Sequence, residues 1–196
     1  MQTENADLGA QMAFLNEADR LKSIERATRL HDNSRFENSA EHSWHIALYA
    51  MVLKDYAPQG CDINRVVQML LIHDIVEIDA GDAPIHGDHD PAEMMQKEQA
   101  AADRLFRMLP EVQAKQIRAL WDEFEKAATP DARFAKALDR MPSPLANMAN
   151  GGGSWKDYAV TLENLDTRVG VPITKGAPKL WEWLRPVIRR WYQTHM

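Results

Sequence analysis

Apolar residues recur at helical spacing along nearly all of this chain, and no stretch of four to eight residues sustains the alternation of a half-buried strand. This feature predicts an all-α fold, a helical bundle in which each element buries one stripe. A first helix carries Phe14, Ala18, Leu21 and Ile24 on one stripe. A second starts at ENSAEH, where Asn38 as N-cap and Glu41 three residues later make a capping box. It is expected to run through Trp44, Leu48 and Met51 to about Ala57, where Pro58 and Gly60 stop it. Asp90-Pro91 and Thr129-Pro130 each read as an N-cap followed by proline at the first helical position, starting helices near 91–109 and 130–141. Another helix lies between them from Pro110 to about Ala128. The helix DARFAKALDRM is expected to stop at PSP, and two further helices follow near 155–169 and 177–194.

The third helix breaks the apolar rule. It opens after Asp62 and carries Val66, Leu70, His73 and Glu77 at i, i+4, i+7 and i+11, so one face turns from apolar to ionisable along its length. The stretch LLIHDIVEIDAGD, residues 70–82, places His73 and Asp74 side by side in a run that reads as buried. A buried carboxylate costs several kcal/mol unless it is paired or holds a metal. His42, early in the second helix, and Asp139, near the end of the helix that starts at Thr129-Pro130, complete a set of two imidazoles and two carboxylates. Such a nitrogen and oxygen set suits a divalent ion such as Mn, Co, Fe or Zn. The spacing matches no zinc finger and no HExxH motif, so the groups have to converge from three helices, as metal ligands in bundles do.

At 196 residues the chain has the length of one domain with a substantial core. We expect a single domain over 1–196, with its body at roughly 13–155 and C-terminal helices over 155–196. The loop NMANGGGSW is short enough to be functional rather than a boundary. With 23 Lys and Arg against 29 Asp and Glu, the net charge of −6 argues against nucleic acid or an anionic membrane as partner. The longest aliphatic run, MLLI at 69–72, is far short of the roughly 20 residues of a membrane span. The single cysteine, Cys61, excludes an internal disulfide, and no signal peptide is visible, so a soluble, cytoplasmic protein is expected.

The order His…His-Asp…Asp resembles the HD-superfamily phosphohydrolases, and more closely their 5′-deoxynucleotidase-like branch, through RFENSAEHSWHIAL, LLIHDIVEIDAGDAP and ARFAKALDRM. The resemblance covers roughly residues 13 to 155. It implies an all-helical HD domain, one divalent metal ion (Mn, Co, Fe, Zn or Mg) held by His42, His73, Asp74 and Asp139, and hydrolysis of phosphate esters. It further implies that Glu77 and Asp82 assist catalysis and hold substrate. Arg26, matched with a one-residue shift, would contact the phosphate. The residue after that arginine is aromatic in some relatives and is Ala27 here. The expected substrates are deoxyribonucleoside 5′-monophosphates and the expected assembly is a homodimer. Rival readings are an HD-type phosphodiesterase or nucleoside-triphosphate hydrolase, or a non-catalytic helical module with a vestigial metal site.

Other residues carry blander expectations. His45 is read as structural, and His86 and His89 as part of a solvated loop. Arg35 and Glu37 either order the loop before the second helix or border the pocket. Trp181, Trp183 and Trp191 are read as core or interface.

Overall fold

The capping residues act where their positions predict. In the computed structural model, which describes residues 2–195, Asn38 accepts the backbone N–H of Glu41 and the Glu41 carboxylate accepts that of Asn38. This closes the capping box of helix α2 (Ser39–Val52). Asp62 caps α3 (Ile63–Ile72), Asp90 caps α5 (Pro91–Phe106) and Thr129 caps α7 (Pro130–Asp139), each through a side-chain oxygen on a free N–H of the first turn. Each such cap is worth about 1 kcal/mol. The remaining helices are α1 (Gln2–Ala18), α4 (Glu77–Ala80), α6 (Glu111–Lys126), α8 (Pro142–Ala149), α9 (Ser154–Asp157), α10 (Leu162–Leu165), α11 (Val171–Gly176) and α12 (Pro178–His195).

The helical reading holds, with one addition and several shifted boundaries. Strands β1 (Glu25–Arg29) and β2 (Phe36–Asn38) form an antiparallel hairpin, pairing Glu25 with Asn38 and Arg29 with Phe36 across a bulge. The second strand is too short to show alternation, which is why the hairpin left no periodic signal. Its turn uses Asn33 at φ 60°, a left-handed conformation that asparagine tolerates. Helix α2 ends at Val52, short of Ala57, and a 3-10 turn over Lys54–Tyr56 follows. Helix α7 stops before PSP as expected, and PSP itself opens α8, since Pro142 occupies a first-turn position where no N–H is missed. The helix expected over 155–169 is broken at Ala159, left-handed at φ 46°, and Thr161 begins α10 with its own capping box to Asn164. A π turn over Asp166–Gly170 then leads into α11.

Two apolar clusters flank the segment that follows α3. One joins Ile46, Leu70, Phe124, Phe134, Leu138, Ile173, Leu184 and Ile188 from α2, α3, α6, α7, α11 and α12. The other joins Phe14, Leu21, Ile75, Val76, Ile78, Leu105, Phe106 and Trp121. Helix α11 lies directly on α7, so closely that a Cβ on Gly176 would stand 1.9 Å from the Arg133 carbonyl oxygen. This packing fixes α7 and therefore Asp139 at its end. Among the described residues, no helix is long and apolar enough to cross a membrane.

Candidate metal centre

The chain gathers ionisable groups here by leaving α-helical geometry. Helix α3 stops at Ile72 and residues His73–Val76 form a tighter 3-10 turn before α4, which corrects the expectation of one helix running through His73 and Glu77. Gly81 at φ 78° ends α4 in a conformation that favours glycine, and the chain turns there to present Asp82. From the other side, the first turns of α2 bring His42, the last residue of α7 is Asp139, and β1 supplies Arg26.

Three of the four predicted ligands converge. His42, His73 and Asp139 each place one ligand atom so that all lie within 4.8 Å of one another, and all three residues are buried. His42 Nε2 is 3.0 Å and His73 Nε2 3.7 Å from Asp139 Oδ1. Asp74 stands beside this group rather than within it. Its Oδ1 is 2.9 Å from His73 Nε2, while its Oδ2 accepts a hydrogen bond from Arg26 Nη1 at 3.1 Å.

The arrangement fits a metal ion on its own chemistry. His73 Nδ1 lies 2.9 Å from the Leu70 carbonyl, an acceptor only, so this nitrogen carries a hydrogen and Nε2 is the ring atom that faces the carboxylates. That Nε2 is buried and has no hydrogen-bond partner. Burial alone would lower the pKa of His73, but the carboxylates of Asp74 and Asp139 outweigh it and push it up to about 10. A nitrogen that draws a proton so strongly is a site where a divalent cation competes for the same lone pair. The ring is held by an edge contact to Phe124, centroids 4.8 Å apart, and Trp121 Nε1 donates to the His73 carbonyl at 3.1 Å.

Arg26 sits among acids. Its Nη1 is 3.1 Å from Asp74, 3.5 Å from Asp82 and 3.8 Å from Glu77, and its Nε is 3.6 Å from Glu37. The carboxyl groups separate into two kinds. Burial would raise Asp74, yet the His73 imidazolium and Arg26 bring it down to about 2, and Asp139 is likewise held well below the usual range by Arg140 and the two histidines. Glu77 and Asp82 are shifted upward, by burial first. The charge of Asp74 adds to the rise, and the Ser39 hydroxyl donates to Glu77.

Arg26, His73, Asp74, Glu77, Asp82, Asp139 and Arg140 line a polar cavity of about 180 Å³. A narrower cavity of about 50 Å³ shares Arg26, Asp82, Ala83 and Arg140 as a common wall and continues past Ala27, Thr28, His86, Ser143, Asn147 and Tyr158. The two ends of the glycine loop, Asn147 on one side and Ser154 and Trp155 on the other, line this second space. Asn147 accepts from the Ser154 hydroxyl, and Asn150 Nδ2 donates to the Leu30 carbonyl, tying the loop to the hairpin.

Sequence reasoning missed one residue, Arg140, and left Glu37 between two readings. Glu37 Oε2 lies 3.2 Å from His42 Nδ1, at ion-pair distance though outside hydrogen-bond geometry, so Glu37 borders the site while Arg35 pairs with Glu41 of the capping box. Arg140 Nη1 lies 3.1 Å from Asp139 Oδ2. The available signals were the place of Glu37 at the head of the E-N-x-x-E-H string and that of Arg140 directly after K-A-L-D. His45 packs on Trp44 and Tyr49 and takes no part, and His89 is exposed. His86 lines the second cavity, with its pKa lowered to about 4 by burial and by Arg168 and Arg140. Trp191 packs against Trp155, whereas Trp183 is exposed.

Residues 18–181 match the HD domain family. The chain is 30% identical over 130 residues to human 5′-deoxynucleotidase HDDC2, an alignment that spans 66% of this chain and 62% of the human protein. With bovine 5′-deoxynucleotidase HDDC2 it shares 28% identity over 153 residues, 75% of this chain and 73% of that one. Against the human relative the chain therefore spans less than two thirds of the length. Among solved structures, a predicted metal-dependent phosphohydrolase from Magnetospirillum magnetotacticum MS-1 is 46% identical, with a TM-score of 0.89 over 95% of this chain and 96% of that one. A conserved hypothetical protein from Pyrococcus furiosus shares the fold, at 20% identity and a TM-score of 0.63 over 91% and 99% of the two chains. A match over residues 18–181, from before the hairpin into the last helix and spanning His42, His73, Asp74 and Asp139, makes this chain a member of the HD domain family.

Proposed function

We propose that the chain is a divalent-metal-dependent phosphomonoesterase whose substrates are deoxyribonucleoside 5′-monophosphates. The observation that carries this reading is the buried convergence of His42, His73 and Asp139 next to a guanidinium, Arg26, on the wall of a polar cavity. Relatives that bear the name 5′-deoxynucleotidase, and a neighbour described as a metal-dependent phosphohydrolase, support the same class. One ion, Mn, Co, Fe, Zn or Mg, would be held by His42, His73 and Asp139, with Asp74 as the fourth ligand through the oxygen already beside His73 Nε2. When bound, such an ion polarises a phosphate oxygen and lowers the pKa of water. Arg26 offsets phosphate charge, and Glu77 and Asp82 orient water, sugar or leaving group across the cavity they line.

The charge balance favours a monophosphate. Carboxyl groups of Glu37, Asp74, Glu77, Asp82 and Asp139 crowd the site, so a triphosphate with about four negative charges meets more repulsion than a monophosphate dianion. Steady-state kinetics over deoxynucleoside monophosphates, ribonucleoside monophosphates, triphosphates and 3′,5′-cyclic phosphates test this. Measurable kcat/KM for the first, with little for triphosphates and cyclic phosphates, is the expected result. A clear preference for triphosphates or cyclic phosphates would overturn it and favour the nucleoside-triphosphate hydrolase or phosphodiesterase class.

The assembly we propose is a homodimer across the outward face of α2, where Trp44, Leu48, Met51 and Val52 stand exposed, with Trp183 of α12 also exposed. Trp44→Glu should then shift the mass seen by light scattering from dimer to monomer. A wild-type chain that is already monomeric would contradict it. The cytosol is the proposed setting for a chain whose sole cysteine, Cys61, is free and has its thiol pushed up to about 12 by burial and Asp131.

A further inference from the structure

We propose that Arg140 is a second phosphate-binding residue, working with Arg26 at the wall the two cavities share; the inference rests on the phosphohydrolase reading. Arg140 is the residue after Asp139, just past the end of α7, and together with Arg26, Asp82 and Ala83 it lines both the polar cavity and the narrower one. A group placed at that junction touches whatever passes from one space to the other. For a phosphate ester, this is the point where the phosphoryl group meets its leaving group.

Positive charge on the polar cavity is already committed, that of Lys136 to Glu125 at 2.9 Å and that of Arg26 more heavily. Its Nη1 lies within ion-pair distance of Asp74, Glu77 and Asp82, and its Nε faces Glu37 at 3.6 Å. A single guanidinium shared by four carboxyl groups has little attraction left for an incoming dianion, even beside a divalent ion. Arg140 is less committed. Among the described residues its ion pair is with Asp139 alone, through Nη1 and Oδ2, and that oxygen is not the one lying near the two histidines. The guanidinium fork presents five N–H donors, so an ion pair at Nη1 leaves the Nε side available. The Nε of Arg140 is buried without a hydrogen-bond partner, as is that of Arg26. Two arginines that each leave a buried donor unpaired, on one wall, are a receptor for an acceptor-rich tetrahedral anion.

The rival role for Arg140 is to hold Asp139 in place for the metal. The two roles separate in one experiment. Manganese-loaded wild type, Arg140→Met and Arg140→Lys are titrated calorimetrically with inorganic phosphate, with manganese content and circular dichroism measured on each. Steady-state constants for a deoxynucleoside 5′-monophosphate are taken in parallel. Loss of a charged hydrogen-bonding partner predicts that Arg140→Met weakens phosphate binding about tenfold to a hundredfold and raises KM to match. Manganese content should stay at the wild-type level, and Arg140→Lys should recover part of the loss. Unchanged phosphate binding in Arg140→Met overturns the proposal, and so does a fall in manganese content that accounts for the weaker binding. A wild type that binds phosphate and turns over substrate keeps the phosphohydrolase reading whatever the variants do. A wild type that does neither overturns both.

Discussion

Helix α3 and the ten residues after it are neighbours in the chain and opposites in construction. Over Ile63–Ile72 the backbone is regular and the buried positions are Val66, Met69 and Leu70. Over 73–82 the backbone tightens into a 3-10 turn, restarts for one turn of helix and ends at a left-handed glycine, and the buried positions include His73, Asp74 and Glu77. Apolar side chains on a regular helix need only be pointed inward. Ionisable side chains taken out of water have to find partners, and the irregular backbone is what aims them at one another and at Arg26. The first region should therefore answer for stability and the second for chemistry, and substitutions should divide along that line.

The largest expected effect lies in the second region. Asp74→Ala should lower the proposed phosphatase kcat/KM by about a thousandfold or more, since the proposed fourth ligand of the ion is removed. The circular dichroism spectrum should stay helical because the apolar stripes persist. Near-full turnover in that variant would break the comparison. Next comes Leu70→Ala in the first region. It should cost about 2–5 kcal/mol in denaturant unfolding, the range for emptying a packed site, while the folded fraction keeps its kcat. The Leu70 group that serves the site is the backbone carbonyl bonded to His73, which the substitution retains.

What was legible in the sequence divides in the same way. Asn38 with Glu41, Asp90-Pro91 and Thr129-Pro130 are local devices whose physics is complete within four residues, and each sits where the sequence places it. The hairpin depends on pairing across a turn, and the 3-10 turn at His73–Val76 depends on packing between two apolar clusters, so neither leaves a periodic mark. Among the site residues, His42, His73 and Asp139 were identifiable from their order along the chain. Glu37 was left between a loop role and a pocket role and Arg140 was not found, because a charged residue next to such a group in sequence is as often solvated as turned inward. Only the fold shows that the hairpin brings Glu37 to His42 and that the end of α7 leaves Arg140 at the cavity junction.

Two smaller effects sharpen the account at the edge of the site. Gly153 has φ 42°, and a Cβ there would stand 2.5 Å from Asn147 Oδ1, which already accepts from Ser154. Gly153→Ala should cost about 1–3 kcal/mol and raise KM more than it lowers kcat, since the ends of the loop line the narrower cavity. Equal changes in both constants would show that the loop acts on the chemistry itself. The NMANGGGSW segment should also exchange amide hydrogens more slowly once substrate analogue is bound, and identical rates would count against a role in the pocket.

A further effect at this edge is a pH dependence. His86 titrates at about 4 in the folded chain, because of burial and then Arg168 and Arg140, against about 6.5 when unfolded. Between those values the unfolded chain binds a proton that the folded chain does not, so stability falls as pH drops from about 6.5 to 4. His86→Gln should flatten that limb in denaturant titrations, and parallel curves for the two proteins would contradict the assignment.

The central claim is that the irregular segment and α7 together hold one divalent ion. The most direct test is a crystal structure of the protein loaded with manganese, with the ion located by anomalous scattering. The account predicts one peak bonded to His42 Nε2, His73 Nε2 and Asp139 Oδ1 at about 2.0–2.3 Å, with Asp74 swung in as a further ligand. An ion bound elsewhere, or a loaded structure in which Asp139 points to solvent, would contradict it.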